Sequence, residues 1–300
     1  MHKIPVGETI SGAYGFAFAG FLTVLGTVWF PFLVLGAIDA GLAKLLAPDL
    51  FDQIRHGNID TDLLMFDVRR IQWVSWIFSL IIQSMIAVGL QERALGRVQG
   101  PTFIYFSLGG SVWRMVGAMF LLTVSIIVIV ALSVAAAVAV SVAAINFIPH
   151  YGPLVAAVMS IVTSCWVIYA CVRLSFFLPA VVVAEGHIGL GRSWELGGGN
   201  FWRIFVIYLA IFVPVAIGFY ILWAFLVGPL LPWDLLSHIH PKMTATEIQQ
   251  LDMDVVKRVF QQLRGAWPVV LALFVIQQLV FIGLNNGAVG KAYLAVADKG

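Results

Sequence analysis

Six stretches of this chain, centred on residues 15–42, 71–91, 113–146, 152–184, 201–231 and 267–296, are dominated by apolar side chains. Each reaches the about 20 residues that a helix needs to cross the hydrocarbon core of a bilayer. In water such a chain would expose most of this surface, whereas lipid is the better solvent for it. Composition agrees: 61% of the residues are hydrophobic and 11% charged, against about 45–50% and about 25% in soluble domains. The sequence predicts an all-α integral membrane protein of about six transmembrane helices, forming a single multi-span membrane domain over 1–300. The first stretch, preceded by Lys3, far exceeds the roughly 7–15 apolar residues of a secretory leader and reads as a retained span.

Several stretches exceed 25 residues, which implies tilt, a kink, or an end lying along the interface. Pro31, Pro179 and Pro214 are the expected kink sites, because each removes a backbone donor. The loop over 44–70 mixes Asp49, Asp52, Asp60, Asp62 and Asp67 with Arg55, Arg69 and Arg70. Leu50, Phe51 and Ile54 suggest a short helix stopped by Gly57, with Asp60 or Thr61 capping the next helix. The acids lack the spacing of a calcium loop and read as a solvated face. Residues 146–153 form a tight turn by their Pro and Gly content. Ser133, Ala137 and Ser141, then Ala136, Val140 and Ala144, place small residues every four positions, which favours close helix packing.

Residues 244–264 look extramembrane. Thr244 and Glu247 fit a capping box. Ile248, Leu251, Val255, Val259 and Leu263 form an apolar face opposite Gln249, Gln250, Asp254, Lys257, Arg258 and Gln261. This predicts an amphipathic helix lying on the membrane surface or against the protein's own spans.

Two connections resemble each other. Leu108-Gly109-Gly110-Ser111-Val112-Trp113-Arg114 and Leu196-Gly197-Gly198-Gly199-Asn200-Phe201-Trp202-Arg203 each give Leu-Gly-Gly, then Trp-Arg, then a long apolar run. Residues 11–20 read as a third, degenerate copy. The pattern predicts three helical-hairpin repeats, each introduced by an elbow at the interface. Glycine permits the turn, while Trp113, Arg114, Trp194 and Trp202 serve as interfacial anchors. Six spans put both termini on one side. Lys and Arg tie at eight on each side, but the termini side carries them in short connections, the positions that count most for orientation. Both termini are therefore expected in the cytoplasm.

Polar groups inside the apolar runs are Asp39, Gln83, Arg173, Gln277, Gln278, Asn285 and Asn286. Ionisable groups in a membrane are functional suspects, and Arg173 leads: it either anchors to lipid phosphate or pairs with Glu185 or Glu195. Arg173, Glu185, Arg192 and Arg203 form the candidate lipid, anion or ion-pair set. The histidines fall in loops, and His238 with His240 reads as an incidental pair. Cys165 and Cys171 read as small apolar residues. No catalytic, cofactor or metal arrangement is recognisable, and a net charge of +2 gives no case for a nucleic-acid partner.

The elbow carries a resemblance. Arg173-x-Ser175-Phe176-x-x-Pro179, Glu185-Gly186, Leu190-x-Arg192-Ser193-Trp194-x-Leu196 and Gly199-Asn200-Phe201-Trp202-Arg203 resemble the membrane domain of glycerophosphoryl diester phosphodiesterases and related uncharacterised bacterial inner-membrane proteins. In that family the phosphodiesterase chemistry belongs to a separate soluble domain, so the resemblance implies a membrane fold and not catalysis. The expected function is a non-enzymatic multi-pass inner-membrane protein with a membrane-lipid or envelope accessory role. Expected partners are membrane lipids, with a membrane-protein partner or a second copy. The alternative is a transporter of a small anionic or lipid-like solute, for which Arg173, Gln83 and Gln277 would line a polar cavity at the midplane.

Overall fold

A computed structural model of the protein describes residues 3–48, 61–100, 102–233 and 244–297. The expected short helix over 50–57, the Asp60 cap, and the pair His238 and His240 lie outside the described residues. Among the described residues six helices are long and apolar enough to cross a membrane. In hydrocarbon every backbone N–H and C=O must be satisfied inside its own segment, and uninterrupted apolar runs achieve this as helices.

The chain opens with α1 (Val6–Tyr14) and one wide π-helical turn, Gly15–Ala19. It bends at Gly20 and enters α2 (Phe21–Leu46). The first span therefore starts at Phe21 rather than near residue 15. The bend is backbone-tight: the Gly20 amide donates to Gly15 O at 3.1 Å, and a Cβ there would crowd Phe16 O. Then follow α3 (Thr61–Ala94), α4 (Gly110–Phe147), α5 (Gly152–Ser175), α6 (Leu178–Glu185), α7 (Leu190–Gly197), α8 (Phe201–Leu226) and α9 (Ala245–Ala297). Pro31 and Pro214 lie inside α2 and α8 without ending them. Pro179 instead sits in the first turn of α6, where a missing N–H costs no intrahelical bond. The fourth apolar stretch is thus two helices.

The amphipathic stretch is not a separate helix. It is the first part of α9, which runs unbroken for 53 residues through Gly265 and Pro268 into the last span. Thr244 does mark its start, with Ile248 N donating to Thr244 O. Leu251, Val255 and Val259 are partly buried, while Asp254 and Arg258 are exposed.

The spans pair as three hairpins: α2 with α3, α4 with α5, and α8 with α9. Each is introduced by a non-spanning segment that packs on a different hairpin. Helix α1 lies on α8 and α9; Ala13 and Ala17 approach Gly287 and Gly283 so closely that a Cβ on either glycine would press on their Cα atoms. The segment 95–109 lies on the first hairpin, where Trp29 Nε1 donates to Phe103 O at 2.6 Å and Gly26 leaves room for the Thr102 carbonyl. Helices α6 and α7 lie on α4 and α5 of the second hairpin, and α6 also touches α3. The three elbows thus interlock the hairpins in a ring. The glycine elbows share this place but not one backbone path: Gly109 is extended, whereas Gly199 has φ +71°.

Packing is concentrated in the half of the bundle nearest the termini. There Ile4, Met85, Leu90, Met115, Leu178, Ile204 and Leu284 are fully buried. In the far half, no residue from Thr123 to Tyr151 and none from Pro153 to Tyr169 is buried. The small-residue rows of α4 lie in this open half. Polar groups within the spans are satisfied mostly inside one hairpin. Ser75 Oγ donates to Asp39 Oδ1 at 2.5 Å, and Trp223 Nε1 to Gln277 Oε1 at 2.7 Å. Gln91 Nε2 donates to Asn286 Oδ1 at 3.0 Å and joins the first hairpin to the third within the packed half.

Candidate functional site

Helix α6 has no polar face. Leu178, Pro179, Ala180, Val181, Val182 and Val183 are all buried, as befits a helix apolar all round. Residues 178–183 therefore present no side to lipid or water; α6 is inserted among α3, α4 and α9. The helix stops at Gly186, whose φ of +73° is the left-handed conformation that glycine adopts at no steric cost.

Its last carbonyls meet arginine side chains. Arg97 Nη1 donates to Val183 O and Arg97 Nη2 to Ala184 O, both at 2.7 Å. Arg114 Nη1 donates to Gly186 O at 2.6 Å. Cations at a helix C-terminus meet the negative end of its dipole and complete acceptors that the helix itself leaves open. Beside them Glu185 accepts from Tyr293 Oη at 2.9 Å and from Arg192 Nε at 3.3 Å, and lies 3.7 Å from His187 Nε2. Arg192 also reaches Glu195 at 3.5 Å. The hydrogen bond to Glu185 pushes the Arg192 guanidinium further up from its ordinary range, against a smaller opposing effect of burial. Three arginines thus surround two carboxylates, and neither Arg97 nor Arg114 forms an ion pair among the described residues.

Arg173 belongs to a different arrangement. It pairs with neither Glu185 nor Glu195. Its Nη1 donates to Tyr169 Oη and its Nη2 to Trp194 O, both at 2.6 Å. The guanidinium lies over the Trp194 ring, 3.9 Å from its centroid, where the ring's negative face attracts a cation. Ser193, fully buried, donates back to the carbonyls of Arg173 and Leu174. Arg173 therefore locks α7 onto the end of α5. Arg203 is likewise structural: its Nη1 donates to Ile4 O at 2.6 Å, while Asn200 Oδ1 accepts from Ile4 N. The candidate set splits, with Glu185 and Arg192 joined and Arg173 and Arg203 elsewhere.

Trp113 and Trp202 are exposed, near the starts of α4 and α8. Arg114 donates to the Gly186 carbonyl just past α6 and to Ser111 Oγ. Trp194 is packed under Arg173. A groove of about 590 Å³ opens between α5 and α8, lined by Cys165, Tyr169, Gly199 and Trp202 among others. Gln83 donates to Ser79 on its own helix, and Gln277 is engaged by Trp223, so neither meets Arg173. Arg97 and Tyr293 were not in the candidate set. Arg97 recognises backbone carbonyls, which leave no mark in a sequence.

Comparison with protein-family models, with curated proteins and with solved structures finds no match for this chain.

Proposed function

We propose that the protein is a non-enzymatic multi-pass protein of a bacterial inner membrane that holds anionic lipid headgroups where α6 ends, in a membrane-lipid or envelope accessory role. One observation carries this reading: Arg97, Arg114 and Arg192 gather at the termini-side end of the spans where α6 ends, and among the described residues only Arg192 of the three is ion-paired, with Glu185 and Glu195. A cationic surplus at headgroup level attracts acidic lipid, by about 1 kcal/mol per basic residue near the surface. Arg114 and Arg192 are exposed and keep donors available for phosphate, which guanidinium binds in a fork. The resemblance of the elbow to the membrane domain of glycerophosphoryl diester phosphodiesterases bears on the membrane fold and adds no role of its own. Both termini are cytoplasmic in this reading, and membrane lipids are the first partner, ahead of a membrane protein or a second copy.

The test is lipid identification in protein purified from native membrane. Arg114→Gln with Arg192→Gln should lower the acidic share of the co-purified lipid, with the bundle intact by thermal unfolding. An unchanged lipid profile would sink the reading. A reporter fused after Gly300 that is active only outside the cytoplasm would refute the orientation.

A second reading, a carrier of a lipid-like solute, draws on the broken fourth span and the open far half, since discontinuous helices are a transporter feature. Against it, Arg173, Gln83 and Gln277 each have a partner of their own rather than a common cavity. Faster exchange of labelled phospholipid between leaflets in vesicles containing the protein would favour it.

A further inference from the structure

The far half of the bundle carries a second feature, independent of the arginines around α6. Where the first two hairpins diverge, a groove of about 600 Å³ opens between α3 and α4. Arg69, Gln72, Trp73 and Trp76 form one wall. Their spacing of three and four puts them on a single face of α3. Phe120, Thr123, Val124 and Ile127 form the other wall, again on a single helical face.

The groove has a polar end and an apolar end. At 1.5 Å per residue, Arg69 lies about 10 Å along α3 from Trp76, which shares the groove with Phe120. Its long side chain carries the guanidinium on from there to the headgroup level of the opposite leaflet. Phe120, by the same measure, lies roughly 15 Å into α4, near the bilayer midplane. The groove thus runs through one leaflet, with Arg69 and Gln72 outermost and aromatic and aliphatic groups below. Trp73 is 73% exposed and Ile127 61%; within the spans, such surface faces lipid. Arg69 is exposed and forms no ion pair among the described residues. Its neighbour Arg70, by contrast, is turned to the Leu46 carbonyl at 3.5 Å.

We infer that this groove seats one glycerophospholipid of the leaflet opposite the termini, with its phosphate on the Arg69 guanidinium, an acyl chain between the two walls, and Trp73 and Trp76 along its side. Charge decides the occupant. A second copy or another protein's helix would bring an apolar face to a cation at the groove's mouth, whereas a phospholipid brings a phosphate at that depth with hydrocarbon directly beneath it. Thr123 is no competing anchor, since its hydroxyl is already given to Met119 O at 2.9 Å.

The full chain is reconstituted in phosphatidylethanolamine and phosphatidylglycerol vesicles with a phospholipid bearing a photoactivatable acyl chain, and labelled peptides are mapped by mass spectrometry. Peptides containing residues 69–76 and 120–127 should label. Arg69→Gln should cut that label about tenfold, the worth of one hydrogen bond to a charged group, and Arg69→Lys should retain most of it. Thr123→Trp, which fills the groove, should abolish it. Arg114→Gln should leave it unchanged, which separates this site from the one at α6. Labelling indifferent to both Arg69→Gln and Thr123→Trp would overturn the inference. So would efficient cross-linking of a Trp73→Cys variant to a second copy with no lipid label. Because Arg69 is exposed, loss of label in a variant of unaltered thermal stability reports the site and not the fold.

Discussion

Arg97 and Ala184 stand 87 residues apart in the chain, and the Arg97 Nη2 lies 2.7 Å from the Ala184 carbonyl. With the matching bond to Val183 O, this guanidinium closes the end of a buried helix from a connection that crosses no membrane. It ties the segment after α3 to the segment after α5.

Removing that closure should loosen α6 before anything else. Arg97→Ala leaves two carbonyls without their donor, a cost of about 2 kcal/mol for a charge-assisted bond that is partly exposed. Thermal unfolding in detergent should begin earlier, and amide exchange over 178–185 should rise more than over α8. Uniform exchange across the bundle would contradict the assignment of Arg97 to α6.

Arg173 should behave as a structural residue. Arg173→Ala removes the bonds to Tyr169 and Trp194 and the stacking on the indole, together about 3 kcal/mol. The expected result is a lower melting temperature with an unchanged share of acidic lipid. Loss of acidic lipid at full stability would return Arg173 to the role of headgroup anchor.

Glycine at 26 is required by a neighbour's backbone. A Cβ there would overlap the Thr102 carbonyl, so Gly26→Ala must displace the segment over 102–106. Such overpacking costs about 1–3 kcal/mol. Gly36→Ala, on the same helix with open space around it, is the control and should leave the melting temperature unchanged or higher.

Tyr105 gives a pH dependence. Burial and then Glu92 push its phenol above 10.0, with Arg93 and Ser107 opposing. A phenol whose pKa is higher in the folded state keeps its proton there. Its contribution is complete below pH 10.0 and is lost as pH rises through the folded value. Tyr105→Phe should therefore flatten the decline in stability above pH 10.0. The same decline in both proteins would show that the phenol plays no part.

Hydropathy alone located the six spans, because length and apolar continuity are what a bilayer tests. The elbows were legible as well, through glycine beside Trp-Arg. The place of α6 was open to the same reasoning: Leu178 to Val183 offers no polar side, and an interfacial helix needs one. The helix over 245–264 was legible from its amphipathic period, while nothing in its sequence says whether the helix ends at Gly265 or continues. Arg173 drew attention as a charge in an apolar run, yet its partners are an indole, a phenol and a carbonyl that only the fold brings together. The groove at Arg69 was hidden for a related reason. Its two walls are 44 residues or more apart, and each alone reads as an ordinary lipid-facing stripe.

The ring of elbows sets an order of assembly. Translation delivers α1 before the six spans, at about 5–20 residues per second, but its seat on α8 and α9 exists only once α9 has left the ribosome. Until then Ala13 and Ala17 have no Gly287 or Gly283 to meet. Helix α1 waits for α9, so a product terminated before α9 carries α1 unseated as a mark of incompleteness.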